Sequence, residues 1–221
     1  MMTSAKFPLA GLLMVLLLLP AAQAQDATTL PPLAETDGML TLDRLGHHLV
    51  MPMPDWLETP SGPIEKQVEI RYLTDARQAL VEIRPRGETE ALWSTLYGAR
   101  ITLGAELPLT AYRAAVMASY AATCNPQNTG FFQLTPDTAD TLAPLGFVCG
   151  GYRDDLAGYV GLGEVAIMSF KKSQAGVAIV FQEWRGKAFD PGKPETWPVA
   201  TDVVQARAGQ LQDHSSFTAS D

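Results

Sequence analysis

Two runs, EVAIMSF (164–170) and GVAIVFQEW (176–184), stand on either side of a short polar stretch at 171–175. Successive side chains on a strand point to opposite faces. In the first run Val165, Ile167 and Ser169 alternate with Ala166, Met168 and Phe170, so both faces are apolar. Such a pair belongs in the middle of a sheet, with other parts of the chain covering it on each side. The runs therefore predict a central hairpin around which the remaining elements must arrange themselves.

Those elements read mostly as strands. QVEIRY places Val68, Ile70 and Tyr72 on one face and Gln67, Glu69 and Arg71 on the other. After a turn at Thr74–Arg77, ALVEIRP repeats the alternation, which predicts a second hairpin. LVMPMPDWL is extended, with prolines that hold it to an edge or a strand end. WSTLYGARITL tilts to strand, with Gly98 as a bulge or break. FFQL and GFVCGGY are two more candidates. The period changes over Leu109–Thr123, where Tyr112, Val116 and Tyr120 recur at i, i+4, predicting a helix with Thr110 at its N-cap. Thr201 is placed as the cap of a last helix, Asp202–Gln212, with a stripe of Val203, Val204, Arg207 and Leu211. The sum is a single α+β domain over residues 39–212: a mainly antiparallel sheet of six to seven strands with helices packed on its faces. Residues 25–38 read as an extended leader and 213–221 as a flexible tail.

The first 24 residues read as a signal peptide. Lys6 precedes an apolar run from Leu9 to Leu19, Pro20 breaks it, and Ala22-Gln23-Ala24 is a cleavage site, making Gln25 the first mature residue. The rival reading is a retained membrane anchor, against which Pro20 and the cleavage site argue. The expectation is a periplasmic or secreted protein with no transmembrane segment after cleavage. The whole chain has a formal charge of −8, and its lysines and arginines are not clustered. Nucleic acid and anionic membranes, which select basic surfaces, are poor partners for it.

Cys124 and Cys149 are the two cysteines of the chain. In an oxidising compartment an even pair is a disulfide by default. A redox catalyst needs C-x-x-C and a zinc site needs three or four ligands, and neither spacing is present. The expected bond ties the end of the mid-chain helix to the FVCGG strand.

Little else points to chemistry. His47 and His48 are adjacent, so on a strand they face opposite ways and share no metal; one packed and one solvated is the simpler reading. No elbow serine, phosphate loop, metalloprotease or EF-hand spacing occurs, so no cofactor and no metal are expected. Asp154 and Asp155 follow Tyr152-Arg153 in a glycine-flanked loop, which reads first as a solvated turn. The segment from Phe181 to Pro198 carries Trp184, Arg185, Phe189 and Trp197. Tryptophan and arginine are enriched at binding hot spots, so these four are candidate binding residues. The plainer reading has Trp184 capping the core and Phe189 and Trp197 pinning the crossover onto the sheet.

A strand ending in Pro52, Pro54 and Trp56, then a hairpin, a mid-chain helix and a strand pair before a terminal helix, resembles the PsbP/Mog1/DcrB group over Met39–Gln212. The resemblance implies a small α/β/α sandwich with an accessory or binding role, and it transfers no active site. Three functional expectations follow. The first is an exported, non-enzymatic binding protein of the cell envelope, working on another envelope protein or a small ligand. The second is a hydrolase using Asp154, Asp155 or His48 in a pocket, and the third a carrier of small apolar ligands or lipids, with a cavity between helix and sheet.

Overall fold

A computed structural model describes residues 33–57, 63–104, 108–138 and 141–220. The expected signal peptide and its cleavage site lie outside the described residues. The described chain begins with three strands, β1 (Leu33–Thr36), β2 (Met39–Arg44) and β3 (His47–Pro52), joined by two-residue turns. Asp37, Gly38, Leu45 and Gly46 all have positive φ, at 52°, 75°, 56° and 68°. That is the turn geometry whose twist matches the flanking strands.

The expected hairpin follows as β4 (Val68–Thr74) and β5 (Gln78–Pro85). Its turn is held by Asp75, whose Oδ1 accepts from the N–H groups of Arg77 and Gln78, both at 2.7 Å. Then come β6 (Thr95–Leu103), the helix α1 (Leu109–Ala121), β7 (Thr129–Gln133) and β8 (Leu145–Cys149). The central hairpin is β9 (Leu162–Lys172) and β10 (Gly176–Lys187), and the chain ends with α2 (Thr201–Asp213) and β11 (Ser216–Ala219). Neither helix uses the expected cap: Pro108 precedes α1 and Ala200 precedes α2, with no side-chain cap bond at either.

The strands form two antiparallel sheets, one of seven in the order β4-β5-β6-β10-β9-β8-β7 and one of four in the order β1-β2-β3-β11. The expectation of one sheet of six to seven strands holds for the larger; the smaller is a correction. It is built partly from residues read as leader and tail. Leu33–Thr36 pairs with β2, and Ser216–Ala219 pairs with β3. The tail is fastened there because Phe217 stacks on the His47 ring, with centroids 4.6 Å apart. Gly98 is neither bulge nor break, since β6 pairs through it with β5 and β10. A Cβ there would lie 2.3 Å from the Val81 carbonyl oxygen and 2.7 Å from Phe181 Cζ. Glycine lets the Phe181 ring lie on the β6 backbone.

One face of the large sheet buries Val81, Ala99, Ile167 and Val180 against Val204 and Leu211 of α2 and Leu42 and Leu49 of the small sheet. The other buries Phe147, Met168, Phe170 and Ile179 with Val116 and Met117 of α1. On the α2 side, Arg207 is only 1 % exposed. Its Nη1 donates to the Met53 carbonyl (2.7 Å) and to Gln210 Oε1 (2.9 Å), and its guanidinium lies 4.5 Å from the centre of the Tyr97 ring. Tyr97 donates its hydroxyl to the Pro52 carbonyl at 2.6 Å and meets Trp56 edge-on at 6.5 Å. The proline–tryptophan corner is thus anchored from the terminal helix.

Cys124 and Cys149 are disulfide-bonded, with Cα atoms 5.7 Å apart. The bond joins the chain just past α1 to the end of β8, and the two residues are 1 % and 0 % exposed. Closing a loop of 25 residues contributes about 3 to 4 kcal/mol on the chain-entropy model. The double variant Cys124→Ala/Cys149→Ala is expected to unfold in urea with stability lower by that amount and with the fold retained. Free thiols titrating in the native oxidised protein would show that the bond is not formed.

Candidate functional site

The α1 face of the large sheet is not uniformly apolar. Side chains two apart on a strand share a face, so Glu183 and Arg185 of β10 both point toward α1. The ladder sets Arg185 opposite Glu164 of β9, and Glu183 opposite Ala166 of β9 and Leu96 of β6. On the same face Arg100 of β6 lies opposite Leu80 and Ile179, and Arg71 of β4 opposite Glu82 of β5. Above them, between α1 and the sheet, is a cavity of about 540 Å³. Val116, Ser119, Tyr120 and Thr123, from α1 and just beyond its end, form its roof. Trp93 from the β5–β6 connection and Tyr152, Leu156 and Tyr159 from the β8–β9 connection close one side.

Arg185 is packed among aromatic rings. Its guanidinium carbon lies 3.5 Å from the centre of the Trp93 ring, 4.6 Å from that of Tyr159 and 5.6 Å from that of Tyr152. Nη2 sits 3.7 Å from Glu164 Oε2 and 3.4 Å from the Tyr152 hydroxyl, while Nε and Nη1 are buried without a hydrogen-bond partner. Tyr152 donates its hydroxyl to Glu164. Tyr120 of α1 donates to Glu183 Oε1 at 2.5 Å.

Burial is the main reason that the Glu183 carboxyl is pushed well above the usual carboxylate range, and the charge of nearby Glu164 pushes it further. Burial also raises Glu164, against the opposing pull of the Tyr152 hydrogen bond and Arg185. Glu164 has the cation beside it, so Glu183 is the member of the pair that is raised further. The Tyr120 and Tyr152 phenols are raised too, by burial first and by these carboxylates second, and remain donors. Toward the edge of the sheet, Arg71 pairs with Glu82 (3.1 Å) and Glu90 (3.0 Å), and Arg84 with Glu82 (2.9 Å). Arg100 lines the cavity. Its Nε is buried without a hydrogen bond, and no carboxylate among the described residues pairs with it.

The structure divides the four expected binding residues. Arg185 is in the cavity wall, whereas Trp184, next to it on β10, points into the core on the α2 side. Phe189 and Trp197 pack partly buried against that same core; Trp197 lies 5.7 Å from Phe132 and donates Nε1–H to the Pro191 carbonyl at 3.3 Å. These three pack on the core and not in the cavity. Asp154 and Asp155 are exposed, His48 is half-buried, and none of the three lines the cavity. Asp155 is held by Arg153 at 2.6 Å and His48 by Asp43 at 2.6 Å. His47 is buried, with Nδ1 on the Leu45 carbonyl and Nε2 on the Ser173 hydroxyl, 2.8 and 2.7 Å away. Among the described residues no group of three or more His, Cys, Asp or Glu could hold a metal ion, and no helix is long and apolar enough to cross a membrane.

Sequence reasoning missed Glu164, Glu183, Tyr120, Tyr152, Arg100 and Trp93. A usable signal was present in GVAIVFQEWRG, where two charges at same-parity positions, Glu183 and Arg185, interrupt a run buried on both faces. No family model, no curated protein and no solved structure matches the chain. The cavity's own geometry carries the functional argument.

Because folded Glu183 keeps a proton that the unfolded chain has lost, the folded state binds more protons above the ordinary glutamate pKa of about 4.3. Stability therefore falls as pH rises from there through the raised folded value, by up to about 1.4 kcal/mol per pH unit for each such group. Asp75, Asp137, Asp155 and Asp190 are shifted downward, so their opposite dependence lies below this window. Urea unfolding of Glu183→Gln between pH 5 and 8 is expected to show a shallower decline than the parent, Glu164 and Asp55, whose carboxyls burial also raises, supplying what remains. Identical slopes would mean that Glu183 does not titrate in this range.

Proposed function

We propose that this is an exported, non-enzymatic binding protein, folded as one α+β domain, that captures a small organic molecule between α1 and the seven-stranded sheet. The observation that carries this reading is the cavity of about 540 Å³, walled by apolar side chains and by buried charged groups. Small-molecule sites fall in the range of roughly 300–1,000 Å³ and combine an apolar lining with a few placed polar groups. Burying ions costs several kcal/mol each, and a buried donor left unpaired adds about 1–3 kcal/mol. Apolar residues in place of buried charges often leave a fold as stable or more so, which favours a ligand as the reason for Glu164, Glu183 and Arg185 in the wall. The disulfide fits an oxidising compartment, in keeping with the export expected from residues 1–24.

A hydrolase reading is favoured by one observation. Glu164 and Glu183 are diagonal neighbours on paired strands, one beside Arg185 and the other raised further, which is the asymmetry an acid–base pair needs. Against it, each carboxylate already accepts from a tyrosine and is almost wholly buried.

The test is native mass spectrometry of the full exported protein after incubation with envelope extract, alongside Ser119→Trp. Ser119 is exposed on α1 and lines the cavity, so an indole there obstructs the space without disturbing the core. A small molecule is expected to accompany the parent and to be lost from the variant. At one hundred times Kd it should stabilise the parent by about 2.7 kcal/mol. Absence of any bound small molecule, with equal melting of both proteins in extract, would sink the reading. Steady conversion of the bound molecule by the parent but not by Glu183→Gln would replace it with the hydrolase.

A further inference from the structure

The four arginines that line the cavity are not equivalent. Arg71 and Arg84 are each paired with Glu82, and Arg185 lies against Glu164. Arg100 has no such partner among the described residues, and its Nε is buried without a hydrogen bond. It projects from β6 between Leu80 and Ile179, so its flanks are apolar, and it is half-buried in the wall of a cavity that is open on one side. Of the nearby carboxylates, Glu183 is engaged by the Tyr120 hydroxyl and the others by arginines. Guanidinium does not lose its charge in proteins. The cavity is left with a fixed cation for which the described chain provides no counter-ion.

We propose that the molecule held here carries a carboxylate seated on the Arg100 guanidinium, with an apolar body lying against Leu80, Leu96, Val116 and Phe181. This rests on the binding-protein reading and adds the ligand's chemistry to it. The guanidinium fork matches the two oxygens of a carboxylate, and a charge-assisted pair of that kind is about twice as strong as a neutral hydrogen bond. A phosphate or phosphonate dianion fits less well. It brings a second charge to a space with one unmatched cation, and Glu82, Glu90 and Glu164 line the same walls. A cationic ligand is disfavoured by Arg100 itself, and the aromatic cage that could hold one is already filled by Arg185. The apolar body follows from the rest of the lining: Gly98 leaves room for the Phe181 ring on the cavity floor, and Leu80 and Leu96 flank it on adjacent strands.

The experiment is isothermal titration of the full exported protein with probes that share one body: 3-phenylpropanoate, 3-phenylpropanamide, 3-phenylpropylammonium and 2-phenylethylphosphonate, with octanoate and octanamide as an aliphatic pair. Both carboxylates are expected to bind at least ten-fold tighter than their amides, with the ammonium and phosphonate weaker still. Arg100→Gln should erase the carboxylate preference while leaving the amide affinity unchanged, and Arg100→Lys should retain part of it. The preference within the parent protein does not depend on either variant folding. Equal affinity for acid and amide, tighter binding of phosphonate or ammonium, or an undiminished preference in a folded Arg100→Gln overturns the proposal. Binding by no probe overturns it as well. If the extract experiment still yields a bound molecule without a carboxylate, the binding reading survives alone; if it yields none, both fall.

Discussion

The pairing of β10 between β6 and β9 is the constraint on which the rest of the molecule depends. From Gly176 to Arg185 every residue of that strand is buried. A strand so placed cannot present either side to water, and the chain must supply a cover for each. On one side the cover is α2 with the small sheet, and it is largely apolar, Arg207 and His47 being buried in it. On the other it is α1 with two long connections, and beneath it the strand places Glu183 and Arg185. Alternation along one strand therefore sorts architecture to one face and ionisable chemistry to the other.

The two buried arginines make the contrast concrete. Arg207 has a carbonyl, an amide oxygen and an aromatic face around it, and it holds the corner at Pro52–Trp56 against α2. Arg185 has aromatic faces and one distant carboxylate, and two of its nitrogens have no acceptor. Both are removed from water, and each leaves two nitrogens without an acceptor; Arg207 makes two short hydrogen bonds through Nη1, whereas Arg185 makes one long one through Nη2. Arg207 thus anchors the α2 side of the sheet, while Arg185 stands in the wall of the cavity on the α1 side.

Much of the fold was legible because its signals are local. The hairpins β4–β5 and β9–β10 follow from period-two alternation around short turns, and α1 and α2 from the change to helical period. The disulfide followed from an even count and an expected oxidising compartment. The small sheet was illegible because β11 joins β3 across the length of the chain, through a segment, DHSSFTASD, whose one large apolar residue is Phe217. Gly98 was misread because its reason is a ring on the next strand, which no reading of β6 alone reveals. The site was half legible for the same reason. Arg185 stood out, but its sequence neighbours Trp184, Phe189 and Trp197 lie on the opposite side of the sheet, and its true companions come from β9, α1 and two distant connections. Cross-strand register decides such groupings, and a single strand's sequence does not contain it.

The bond between Cys124 and Cys149 has a consequence for the order of assembly. Cys149 sits directly across the ladder from Glu164, and Cys124 bridges to Tyr152, so the sulfurs lie beneath the very groups that wall the cavity. At 1 % and 0 % exposure they are out of reach of any oxidant once α1 has settled on the sheet. Oxidation must come while that roof is still ajar. The bond is thus made before the roof closes, and in the finished fold it is shielded from reductants as well.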